Sequence, residues 1–361
     1  MERLSPLLIN KYIAKALTNA HFGCKIIVHT FFEVFMNSFI FAVNAVLPLI
    51  LIVMIGYLLR RIGLISEDAP RMLNKLVFRA FLPCMLFLNV YEIESLGDFG
   101  FGYILYALIA IPIVFALAIP LVLLITKRKE RRGVLLQAVF RSNFALIGIP
   151  LAISLCGDAG ASYAAVMAAF AVPIFNVMAV IKLSVFSGGE GRVSIKGILI
   201  DIAKNPLIES VLLGLLAIGI RAILVELGID WRLSDVTPIF KVISSLSSVA
   251  TPLALIALGA QFKFSAIGGM KRELAFAILA RVVAVPLITI SVAYLFFKFE
   301  AAHFATFVAL FATPDAVSSV PMTQEMGGDT ELAGQIVVWS TVSAGLTIFL
   351  FTFALKLIGV F

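Results

Sequence analysis

Ionisable side chains are scarce. Asp, Glu, Lys and Arg make up 14% of 361 residues, against about 25% in an ordinary soluble domain. That shortage excludes a soluble enzyme, a disordered chain and a nucleic-acid-binding domain. Cysteine and histidine are rarer still, three of each. Cys24, Cys84 and Cys156 are far apart and odd in number, so they form neither a disulfide framework nor a ligand cluster. His21, His29 and His303 lie beside no cysteine or second histidine in a ligand spacing, and no metal site is expected. No Gly-rich phosphate loop ending in Gly-Lys-Ser or Gly-Lys-Thr is present, so the chain carries no nucleotide motor of its own. No connection is long enough for a soluble domain. No cofactor is called for and no residue is nominated as catalytic.

What the chain has instead is apolar length. Hydrophobic residues make up 61% and the mean hydropathy is +1.09. A transmembrane helix needs about 20 mostly apolar residues to cross about 30 Å of hydrocarbon. Ten runs fit, at about 39–59, 72–91, 101–126, 134–156, 161–186, 206–225, 238–261, 273–297, 302–323 and 332–357. The second, fourth, seventh and ninth are the weakest, because polar residues or proline interrupt them. The fold class expected is an all-α polytopic membrane protein embedded in a lipid bilayer.

Basic residues near span ends set orientation. They gather after span 1 (Arg60, Arg61, Arg71, Lys75), after span 3 (Lys127, Arg128, Lys129, Arg131, Arg132), around the 5–6 connection (Lys182, Arg192, Lys196, Lys204) and after span 7 (Lys263, Lys271, Arg272). The alternate connections hold few, and the 2–3 connection is acidic, with Glu92, Glu94 and Asp98. Odd-numbered connections are therefore expected in the cytoplasm, with both termini outside an inner (plasma) membrane. The net charge of +7 is then mostly a topology signal, and nucleic acid is not an expected partner. Residues 1–35 are too broken in hydropathy for a span and read as an upstream extension.

The two halves resemble each other. Pro48 and Gly56 in span 1 match Pro206 and Gly214 in span 6 at the same separation. Pro83 pairs with Pro252, and Pro112 with Pro286. Ile149-Pro150 followed by Gly157-Asp158 matches Val320-Pro321 followed by Gly328-Asp329. Five spans per half, an odd number, means the second half enters the membrane in the opposite direction. The expected organisation is residues 36–187 as the first five-helix repeat, 188–205 as a cytoplasmic linker and 206–361 as the second repeat. Such inverted repeats are a recurrent build of secondary transporters.

Spans 4 and 9 carry the most helix-breaking character. Span 4 runs through Arg141, Ser142, Asn143, Gly148 and Pro150; span 9 through Thr313, Pro314, Asp315, Ser318, Ser319 and Pro321. A proline removes a backbone donor and frees a carbonyl one turn earlier. Freed backbone groups cannot face lipid and must line protein or a polar cavity. Gly148 with Pro150, and Pro314 with Pro321, are expected to interrupt both helices near mid-bilayer. A charge at that depth is a functional-site hypothesis by default. Arg141 suits a substrate carboxylate through its planar fork; the alternative is that it snorkels toward the cytoplasm or pairs with an acid. Asp315 suits a coupling proton or cation; the alternative is a structural partner for Arg141 or Arg79. Ser142, Asn143, Thr313, Ser318 and Ser319 offer neutral donors and acceptors, and small polar residues of this kind also serve helix packing. Arg79 and Arg281 are expected to be structural and within reach of the cytoplasmic headgroups.

One ordered set of motifs resembles the auxin efflux carrier family of permeases, which includes bacterial malate and malonate carriers. It comprises Gly56-Tyr57-Leu58-Leu59-Arg60-Arg61, Leu76-Val77-Phe78-Arg79 with Leu82-Pro83, and Phe140-Arg141-Ser142-Asn143 with Gly148-Ile149-Pro150. Asn205-Pro206-Leu207, Thr251-Pro252-Leu253-Ala254 with Gly259-Ala260, and Pro314 with Ala316-Val317-Ser318-Ser319 complete it. The similarity runs from about residue 40 to the C-terminus. The resemblance implies ten helices in two inverted five-helix repeats, helices 4 and 9 broken and crossing at their prolines, and export or exchange of small organic anions. It also implies a site around Asn143, Pro150 and Pro314, and a distant similarity to bile-acid sodium symporters. Asp315 and the second proline, Pro321, depart from the family pattern.

The function expected is a secondary transporter of small organic anions such as malonate, malate or auxin-like acids, coupled to protons through Asp315. A sodium-coupled symporter and a non-transporting sensor with a carrier-like core are the alternatives, and a homodimer is compatible with each. An intramembrane enzyme would need paired catalytic groups at one depth, which the spans do not offer.

Overall fold

A computed structural model describes residues 47–92, 101–187 and 203–361, with isolated positions 36, 40, 43, 44 and 200. The segment 1–35, the tip of the 2–3 connection and most of the 188–205 linker, with Arg192 and Lys196, lie outside the described residues. Among the described residues every regular element is helical.

In chain order the helices are α1 (47–61), α2 (Ala69–Tyr91), α3 (Phe101–Ile125), α4 (Lys129–Phe140) and α5 (Ile149–Ser187). They continue with α6 (Pro206–Glu226), α7 (Thr237–Gln261), α8 (Lys271–Phe296), α9 (Ala301–Phe311), α10 (Ser319–Glu325) and α11 (Thr330–Leu357). Local chemistry starts several of them. Asn205 caps α6 by accepting the Leu207 N–H at 3.0 Å, with Pro206 in the first turn, where its missing N–H costs nothing. Asp329 caps α11 by accepting the Leu332 N–H at 2.9 Å. π-Helical turns widen α2 at Val77–Phe81 and α8 at Ala280–Ala284, each just ahead of a proline, Pro83 and Pro286.

Among the described residues, seven helical stretches are long and apolar enough to cross a membrane. Expected spans 4 and 5 fall within one of them, Lys129–Leu183, which is interrupted at 141–143 and again at Cys156 and Gly157, where the backbone leaves the helical region. Expected span 9 is split into α9 and α10, of 11 and 7 residues, each too short to cross alone. α1 is described only from residue 47.

The helices sort by exposure. Along α3, Leu105, Ile109, Ile113, Leu117, Leu121 and Leu124 face outward, and Leu212, Leu216 and Ile223 do the same on α6. Such continuous exposed apolar faces far exceed what a soluble monomer shows and fit contact with lipid. α9 is the opposite case: every residue from Phe304 to Phe311 is buried. Gly133–Phe140 of α4 is buried as well. These two half-helices form the centre of the molecule.

Two groups of helices surround that centre. α2 packs on α6 and α7, and α1 joins them through a close approach to α7. A Cβ on Gly259 would stand 1.9 Å from the Val53 carbonyl oxygen, so only glycine permits this contact. α3, α4, α5, α8, α9, α10 and α11 pack around one another as the second group.

Candidate functional site

The interruptions of spans 4 and 9 meet. The Asn143 backbone N–H donates to the Pro314 carbonyl oxygen at 2.8 Å, which ties one break to the other. Gly148 lets the half-helices touch: a Cβ there would lie 2.7 Å from the Ala309 carbonyl oxygen. The span 4 break lies at 141–143, ahead of the Gly148 and Pro150 pair expected to cause it. Phe144–Gly148 forms a π-helical turn, and Pro150 sits exposed in the first turn of α5. Pro150 therefore starts a helix and does not break one. The span 9 break lies at 312–318, as Pro314 predicts. The second break expected at Pro321 is absent, because Pro321 occupies the first turn of α10, where a proline sacrifices no helical bond.

Arg281 staples the crossing. Its side chain is fully buried in α8. Nε donates to Thr313 O at 2.8 Å, Nη1 to Val139 O at 3.1 Å and Phe140 O at 3.4 Å, and Nη2 to Leu310 O and Phe311 O at 3.0 Å. Four of these are the last carbonyls of α4 and α9, and the fifth, Thr313 O, lies in the break that follows α9. Both helices direct the negative ends of their dipoles at one guanidinium, whose fork matches two acceptor sets at once. The expectation that Arg281 reaches the headgroups is thus corrected: its structural role is at the core. Lys182, counted above among the cytoplasmic loop residues, is also buried inside α5, where its ammonium donates to Gly133 O and Gln137 Oε1 of α4.

Arg141 follows the last residue of α4 and is 4% exposed. It does not snorkel. Nη2 donates to Asn176 Oδ1 at 2.9 Å and Ser318 Oγ at 2.7 Å, and Nη1 contacts Met322 Sδ at 2.7 Å. Asp315 is buried on the span 9 side. Its Oδ1 accepts from the Ala316 N–H and the Ser319 hydroxyl, both at 2.8 Å, while its own N–H donates to Ser340 Oγ at 3.2 Å. Asp315 makes no direct ion pair among the described residues, but the charges of Arg141, Lys182 and Arg281 act on it. Arg141, Lys182, Arg281 and Asp315 are all buried, so positive charge outnumbers negative in this part of the core.

A cavity of about 570 Å³, including its open mouth, lies against the crossing. Arg141, Ser142, Asn143 and Ser318 line it from the crossing and Asn176 from α5. Asn89 of α2 and Thr251 of α7 line it from the other group of helices. Ser142 Oγ and Asn143 Nδ2 are buried with no hydrogen-bond partner among the described residues. Buried polar groups are nearly always paired, so two adjacent unpaired groups on a cavity wall invite a ligand.

Of the residues nominated from sequence, Arg141, Ser142, Asn143 and Ser318 line this cavity. Gly148, Thr313, Pro314, Asp315 and Ser319 shape the crossing behind it, and Pro150 lies away from it on an exposed position. Sequence reasoning missed Asn176 and Asn89. The signal was there in each case: a lone amide within an apolar span. Cys84 and Cys156 are free thiols.

Fold and site define a class: a helical membrane protein whose broken helices cross at a polar, cation-rich centre. The chain belongs to the membrane transport protein family of auxin efflux carrier type, whose model matches residues 41–195 and 191–352. It is 26% identical over 229 residues to an uncharacterized transporter of Methanocaldococcus jannaschii, covering 60% of this chain and 67% of that protein. It is 23% identical over 317 residues to an uncharacterized transporter of Methanothermobacter thermautotrophicus, covering 86% of this chain and 95% of that one.

Proposed function

We propose that this protein is a secondary transporter of small organic anions, such as malonate, malate or auxin-like acids, working by alternating access at the helix crossing. The observation that carries the reading is the unpaired Ser142 hydroxyl and Asn143 amide beside the Arg141 guanidinium on one cavity wall. A carboxylate accepts from all three. Arg141 commits both Nη2 hydrogens to Asn176 and Ser318 and one Nη1 hydrogen to Met322, which leaves its Nε–H and a second Nη1–H as donors for a carboxylate oxygen. The excess of buried positive charge at the crossing favours an anion over a neutral or cationic solute. Ser318 completes the polar wall, while Gly148, Pro150, Thr313, Pro314 and Ser319 set the shape of the crossing.

Asp315 is the coupling group in this reading, because it is the buried carboxylate among the described residues and shares the crossing with Arg141. Proton coupling predicts that an imposed pH gradient drives uptake and that Asp315→Asn uncouples it. The ten-span arrangement in two inverted repeats, split at 188–205, with cytoplasmic odd-numbered connections, belongs to the same proposal. It is supported by the matched breaks in spans 4 and 9.

Ligand binding to the folded state raises apparent stability by mass action. Malonate or malate is expected to raise the Tm of the purified protein, and Arg141→Ala or Asn143→Ala to abolish the rise. Hydrogen bonds to charged groups contribute about 1.5–3 kcal/mol each, so binding should weaken roughly ten- to hundredfold. A rise that persists unchanged in both variants would place the anion elsewhere.

A further inference from the structure

The cavity and its closure lie between the same two groups of helices. On one side stand Leu82–Asn89 of α2 and Ala250–Ala254 of α7; on the other stand the crossing and α5. Among the lining residues Leu146 is 39% exposed and Asn89 half-buried, and we take this as the open side of the cavity. Toward the start of α2 the two groups are joined by polar contacts instead. Asn74 Nδ2 donates to Gln324 Oε1 at 2.9 Å, and Gln324 Nε2 donates to the Arg71 carbonyl at 2.9 Å. Arg79 Nε pairs with Glu325 Oε2 at 3.4 Å. One side-chain amide thus bridges backbone and side chain of α2 from the tip of α10, the half-helix that continues the crossing.

These contacts are incompletely satisfied. Asn74 is fully buried, yet its Oδ1 has no partner among the described residues, and neither has Thr323 Oγ1, one residue before Gln324. A permanent seam would pair such groups. Separation of α10 from α2 would hydrate both atoms, and that gain offsets the bonds lost. Two states of similar free energy are what a reversible closure requires.

We infer that Asn74, Arg79, Gln324 and Glu325 form a polar latch that closes one end of the transport pathway, so that this conformation admits solute only from the Leu146 end. The inference rests on the transport reading, but its test needs no substrate. In a background with Cys84 and Cys156 changed to serine and Cys24 to alanine, Thr323→Cys reports access from the latch end, and Leu146→Cys reports access from the mouth.

With the latch intact, a water-soluble maleimide should alkylate Thr323→Cys slowly and Leu146→Cys fast. Gln324→Ala should speed the first several-fold and slow the second. Arg79→Gln, which removes the charge from the more exposed pair at a largely exposed residue, should act in the same direction to a smaller extent. Unchanged Thr323→Cys rates in both variants would overturn the latch. So would equal acceleration at both reporters, which denotes loosening of the fold. A protein that binds no organic anion yet shows the reciprocal pattern would retain the latch and lose only the substrate assignment.

Discussion

At the residue scale, one guanidinium is spent on structure and another is left partly free. Arg281 satisfies carbonyls at two helix ends from a position with no exposure at all. Arg281→Met strands those acceptors in the core, at about 1–3 kcal/mol for each buried group left unpaired. A large fall in Tm is the expected result, measured without ligand. Arg281→Lys should recover only part of it, since one ammonium cannot span both carbonyl sets. Arg141 differs because it lines the cavity and its neighbours leave part of its donor set uncommitted. Sequence alone named both arginines, one as a structural and one as a binding candidate. It misplaced Arg281 in depth, because its partners are backbone carbonyls, which leave no trace in side-chain identity. Lys182 was misread for a related reason: its partners are the Gly133 carbonyl and the Gln137 amide oxygen, not an acid.

At the scale of elements, the breaks were legible and their positions less so. Pro314 announced the interruption of span 9 because a proline withholds a donor wherever it sits. The interruption of span 4 falls at 141–143, where no proline stands. It is held by the Asn143 N–H bond to Pro314 O, a contact between segments from opposite halves of the chain. No local pattern encodes such a bond. Gly148, nominated as a helix breaker, acts instead through its missing side chain. Gly148→Ala would press a methyl against the Ala309 carbonyl and the Phe144 ring, 2.7 and 2.6 Å from its Cβ. Overpacking of this kind costs about 1–3 kcal/mol. A lowered Tm is expected for Gly148→Ala and a larger loss for Gly148→Val. An unchanged Tm in both would show that the half-helices can separate without penalty.

At the scale of the whole molecule, composition pointed to a membrane protein, the matched prolines to broken helices, and the family resemblance to their crossing. The separation of α1, α2, α6 and α7 from the remaining helices came from packing, which periodicity does not report. The cavity sits between these groups, and in the proposed mechanism the polar latch closes its other end, so that relative movement of the groups would expose Arg141, Ser142 and Asn143 to alternate sides. The most direct measurement is counterflow in proteoliposomes loaded with unlabelled malonate or malate and diluted into the labelled anion. The account predicts transient accumulation of label by the parent protein and its loss in Arg141→Ala and Asn143→Ala, with folded protein recovered in both. Accumulation at the parent rate in those two variants would contradict it.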